Sequence, residues 1–74
     1  MNPRASQYIQ TLAQFGSITR AAGHLYITPS ALSRYISTVE KEVGTQLFSR
    51  IGNHFVLTYA GERYVEWCRQ YDAL

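Results

Sequence analysis

The chain has 74 residues, 46% hydrophobic and 16% charged, with a net charge of +2. That is globular composition in one small domain, and because a chain of this size buries only about 60% of its unfolded surface, a partner subunit would help it. No run approaches the roughly 18 apolar residues of a membrane span, the N-terminus lacks the basic and apolar regions of a signal peptide, and the lone Cys68 excludes an internal disulfide and a cysteine metal cluster. The expected location is the cytoplasm, and Cys68 is expected to be a structural thiol. Charge is uneven along the chain. Residues 1–57 hold Arg4, Arg20, Arg34, Lys41 and Arg50 against Glu40 and Glu42, a balance of +3, whereas the remainder sums to −1. A modest positive charge permits nucleic-acid binding without demanding it.

Residues 3–15, PRASQYIQTLAQF, carry Tyr8, Ile9, Leu12, Ala13 and Phe15 at helical spacing, and Pro3 is tolerated in a first turn. Gly16 stops that helix. Ser17 caps the next, ITRAAGHL, whose stripe of Ile18, Ala21, Ala22 and Leu25 is mostly small and lets a second helix come close. Gly23 inside it marks either an early end or a close approach of backbone. Only Tyr26 and Ile27 separate Leu25 from Thr28, so the two helices meet at a tight corner, the outline of a helix-turn-helix.

From Thr28 to Val43 the chain predicts a helix with two unlike faces. Thr28 is a suitable N-cap and Pro29 suits the first helical position. Leu32, Ile36, Val39 and Val43 follow at spacings of four, three and four, which places them on one side, and that side is expected to be buried. The opposite side carries Ser30, Ser33, Arg34 and Ser37, short hydroxyls and a planar cation suited to base edges and phosphates. Glu40, Lys41 and Glu42 read as a solvated face. Gly44 ends the helix. The period then changes: LFSRIGNHFVLT predicts a β-hairpin with strands at Phe48–Ile51 and His54–Leu57 and a Gly52-Asn53 turn. A hairpin directly after a helix-turn-helix is the wing of a winged helix. Arg50 either meets phosphate or braces the wing by pairing with Glu40 or Glu42; Arg20 either meets the DNA backbone or is plain surface. His24 and His54 read as surface imidazoles.

Thr58 caps a last helix, with Glu62 favouring its positive end. Ala60, Tyr64, Trp67, Tyr71 and Leu74 are spaced four, three, four and three, a stripe of the coiled-coil kind, beside a second strip of Val65 and Cys68. One strip is expected to pack on the first helix and the other to seek a partner chain, through Tyr64, Trp67 and Tyr71. The sequence runs out in this helix without a stop signal, so a longer protein is expected. The fold class is therefore mainly α: three helices and a two-stranded wing over residues 1–57, then a linker and dimerisation helix from residue 58.

With these residues laid out, the sequence resembles the DNA-binding head of the LysR-type transcriptional regulators. The resemblance rests on GSITRAA at Gly16–Ala22, PSALSRYI at Pro29–Ile36, VEKEVGTQLFSR at Val39–Arg50 and LTYAG at Leu57–Gly61. It implies sequence-specific double-stranded DNA binding for transcriptional control, with the motif helix in the major groove and the wing beside the minor groove. It also implies a homodimer paired through the last helix, an interrupted inverted repeat as the site, and a small-molecule effector held by a further domain that this sequence does not contain. Carried over by position, base readers are Pro29, Ser30, Ser33 and Arg34, with Thr28 and Arg50 toward phosphate; Arg20, Ser37, Asn53 and His54 complete the expected DNA face. The chain has Thr28-Pro29-Ser30 where the family commonly has Ser-Gln-Pro, and its wing tip, Ile51 to Phe55, has a histidine as its only basic side chain.

No nucleophile, base and orienting group can be assembled from this sequence, and no phosphate-cradling glycine loop or metal-ligand cluster occurs, so neither an enzyme nor a cofactor is expected. The competing reading is a winged-helix protein-interaction module working through the aromatic helix.

Overall fold

Caps and apolar periodicity decide where the helices begin and end. The computed structural model describes residues 3–72, with side chains from 4 to 70. The order is α1 (Pro3–Phe15), α2 (Ile18–Leu25), α3 (Pro29–Val43), β1 (Phe48–Ile51), β2 (His54–Leu57) and α4 (Tyr59–Asp72). This is the winged helix-turn-helix with a following helix that the periodicities predicted. Gly16 takes φ 68° and donates to the Leu12 carbonyl, and the Ser17 hydroxyl accepts from Arg20 N at 3.2 Å to open α2. The α2–α3 corner turns on a residue the sequence did not flag. Tyr26 caps α2 in the left-handed region at φ 59°, with its side chain 95% exposed.

The core lies between α1, α2 and α3. Ile9 and Leu12, Ala21 and Ala22, and Leu32, Ile36 and Val39 are buried, and the two alanines supply the close helix approach. Leu47, Phe48 and Val65 extend this core beneath the wing and α4. Val43 departs from the expected stripe. One turn beyond Val39 the helix has outrun the core, and Val43 is 45% exposed. The hairpin pairs antiparallel with Phe48 opposite Leu57 and Arg50 opposite Phe55. Gly52 holds φ 62° at the first turn position, as two-residue hairpin turns require.

Two helix glycines act in opposite ways. Gly61 lies where α4 crosses the chain entering the wing, and a Cβ there would fall on the Leu47 carbonyl oxygen. Gly23 neither ends α2 early nor approaches another backbone, for a Cβ there would meet nothing within 4 Å. In urea unfolding, Gly61→Ala should lose about 1–3 kcal/mol through overpacking. Gly23→Ala should gain about 0.5–1 kcal/mol, since it removes the backbone entropy cost without a clash.

Candidate nucleic-acid interface

The burial of Leu32, Ile36 and Val39 leaves Pro29, Ser30, Ser33, Arg34 and Ser37 exposed on the other side of α3. The Thr28 hydroxyl oxygen accepts from Ala31 N at 3.1 Å, so its lone pair is used in capping and its O–H stays available as a donor. Beside this face the wing forms a second wall. Pro29, Ser30, Ser33 and Arg34 from α3, Arg50 and Phe55 from the wing and Ile18 from α2 line a notch of about 480 Å³. Two arginines and two serines thus line one opening, and no acidic residue lines it among the described residues. Its chemistry is that of an anion seat.

Four hydrogen bonds fix the wing and its flanks, two to the Glu40 carboxylate and two between backbone groups. Glu40, expected on a solvated face, turns inward: its Oε2 accepts from Leu47 N at 2.7 Å and Phe48 N at 3.1 Å. The N–H groups of the chain entering β1 have no helical carbonyl to meet, and the carboxylate supplies the missing acceptor. Phe55 N donates to the Gly16 carbonyl at 2.8 Å, and Thr58 N to the Leu47 carbonyl at 3.0 Å. Glu40 thus braces the wing through backbone, while Arg50 lies over the Phe55 ring with its guanidinium carbon 5.0 Å from the centroid.

The other expected site residues scatter around this notch. Arg20 is exposed and lies over Phe15, 5.4 Å from the ring centroid, and His24 packs against the same ring. His54 points its Nδ1 toward Gly16, and Asn53 is exposed at the wing tip. Sequence reasoning passed over Ile18 and Phe55 as notch walls. For Phe55 a signal existed, since a two-residue turn at Gly52-Asn53 makes it the cross-strand partner of Arg50.

On the far side of the domain, α4 keeps its Val65 and Cys68 strip inside, but the other stripe does not stand wholly free, for Ala60 and Tyr64 also pack against the core. Val65 and Cys68 are buried, whereas Trp67 is 50% exposed. Trp67, Tyr64, Tyr35, Val43 and Glu42 line a groove of about 320 Å³. Burial pushes the Tyr64 phenol above its ordinary range, and Tyr35 moves the same way for the same leading reason. Tyr71 and Leu74 have side chains outside the described residues. No group of three or more metal-ligating side chains occurs among the described residues, and no helix there is long and apolar enough to cross a membrane.

The sequence model of the bacterial regulatory helix-turn-helix proteins, lysR family, matches residues 3–62. The chain belongs to that family. This LysR-family head is 35% identical over 66 residues to the RuBisCO operon transcriptional regulator of Allochromatium vinosum, covering 89% of this chain and 22% of that protein. It is 43% identical over 54 residues to the MetR regulator of Haemophilus influenzae, covering 73% of this chain and 18% of that protein. The chain thus spans about a fifth of the length of these two relatives. Among solved structures it superposes on the BenM_DBD/benA site 1 DNA complex with a TM-score of 0.90 and 29% identity, over 99% of this chain and 85% of that one. These are transcriptional regulators, and the LysR-family head is a helix-turn-helix domain rather than an enzyme. Removing the Glu40 acceptor should loosen the wing of this head: Glu40→Ala is expected to cost about 1–3 kcal/mol in thermal or denaturant unfolding, because two buried N–H groups lose their partner.

Proposed function

We propose that this LysR-family head binds specific duplex DNA in the cytoplasm to regulate transcription, with the N-terminal half of α3 in the major groove. The observation that carries this reading is the notch in which Ser30, Ser33, Arg34 and Arg50 come together without a carboxylate. Exposed on α3, Pro29, Ser30, Ser33 and Arg34 meet base edges, with Thr28 donating to phosphate and Ser37 one turn further on. Arg20, Asn53 and His54 are peripheral contacts outside the notch lining. The wing tip offers an imidazole and an amide where minor-groove contact favours guanidinium groups, so most of the positive charge meets DNA at the helix–wing seam.

Two heads act together through α4, in support of which stand the half-exposed Trp67 and the groove beside it, lined by Tyr35, Val43 and Tyr64. A two-fold dimer calls for an interrupted inverted repeat. Any effector acts through a part of the protein beyond this head.

Selection of bound duplexes from a random pool tests the reading, and an enriched inverted repeat with a steep salt slope is the expected result. Salt-insensitive or absent binding would overturn it. On the selected site, Arg34→Ala should cost about 1–3 kcal/mol and relax preference at one position. Trp67→Asp should shift sedimentation from dimer to monomer and weaken operator binding by about 10²-fold through lost bivalency. An unchanged dimer would remove α4 from that role.

A further inference from the structure

Arg50 is a long side chain on an exposed strand, and a free arginine there would sample many rotamers. Phe55 stands opposite it in the hairpin register, and the guanidinium carbon lies 5.0 Å from the ring centroid. Phe55 is itself held at two points. Its backbone N–H donates to the Gly16 carbonyl at 2.8 Å, and its edge meets the buried Phe48, with centroids 6.3 Å apart and planes at 78°. Stacking occupies the flat face of a guanidinium and leaves its in-plane N–H donors free. Arg50 lines the same notch as Ser30, Ser33 and Arg34.

We infer that Phe55 is a positioning residue for DNA binding, an anchored aromatic platform that holds the Arg50 guanidinium toward Arg34 so that the two arginines seat one backbone phosphate between helix and wing. This rests on the DNA-binding reading above and deepens it. The chemistry follows from charge. Two cations brought to one notch without a carboxylate repel each other until a phosphate with several acceptor oxygens lies between them. The platform also compensates for a wing tip with few cations, since it keeps the positive charge of the wing at the seam.

Two measurements on the protein test this. In the free state, the Arg50 side-chain methylene protons should show upfield ring-current shifts that vanish in Phe55→Leu and persist in Phe55→Tyr. On the selected duplex, Phe55→Leu should bind about two- to fivefold more weakly, the range of an exposed cation–ring contact. Phe55→Tyr should bind like the parent. Arg50→Ala should lower the salt slope by about 1, and adding Phe55→Leu to it should cost nothing further. Should the leucine variant melt early, Arg50→Lys replaces it, since a lysine at that exposed site keeps charge but loses the planar stack; the same loss is expected. An equal penalty for Phe55→Leu with and without Arg50, or full binding by the leucine variant, would overturn the inference. The failures separate cleanly. Absent ring shifts in a protein that binds its duplex refute the platform, whereas a stacked Arg50 in a protein that binds no duplex refutes the DNA reading and the phosphate seat with it.

Discussion

The α3 helix, the wing and α4 meet at the peptide groups of one residue, Leu47, and their relative placement depends on it. Its N–H donates to the Glu40 carboxylate from α3, its carbonyl accepts from Thr58 N at the entry to α4, and its side chain is fully buried. Gly61 brings α4 against the same carbonyl because it has no Cβ. Thr58 adds a second tie: its hydroxyl donates to the Gln46 carbonyl at 2.7 Å and accepts from Gly61 N at 3.0 Å. A buried peptide group without partners is costly, so these bonds are obligatory once Leu47 is buried. They convert three separate elements into one rigid frame.

That frame determines where positive charge is presented. The stripe of Leu32, Ile36 and Val39 fixes the rotation of α3, and so turns Ser30, Ser33 and Arg34 outward. Glu40, from the inward side of the same helix, fixes the wing. Arg50 and Arg34 therefore face one notch although 16 residues separate them. Neither cation would have a defined neighbour in a loosely attached hairpin, and the inferred phosphate seat would need two donors held at once.

The opposite side of the frame explains the composition of α4. Val65 and Cys68 complete the core, while Trp67 remains half exposed along a groove that includes Val43. A helix apolar on two sides is unusual in a small monomer. On the proposed dimer the second side is covered, which fits a domain whose own core is small. Val43, misplaced by simple periodicity, belongs to this outer groove rather than to the interior.

The boundaries of α2, α3 and both strands were legible in the sequence because their signals are local. A cap at Ser17 or Thr28, a proline at a first turn, a glycine stop and a two-residue hairpin turn each act within a few residues. The outward face of α3 was legible for the same reason, since periodicity alone separates it from the buried stripe. Three features were not. Glu40 looked like a solvated carboxylate because its partners, Leu47 and Phe48 N–H, follow a break in the helix and come near only when the wing folds back. Gly61 looked ordinary because its demand arises from a backbone carbonyl 14 positions away. The sequence left Arg50 between phosphate and carboxylate, for charge has no address in a sequence; in the fold Glu40 is taken up by backbone N–H groups and Arg50 lies over the Phe55 ring. Short-range hydrogen bonds and side-chain period determined the elements; only long-range burial around Leu47 decided which of their polar groups would be spent inside and which left exposed.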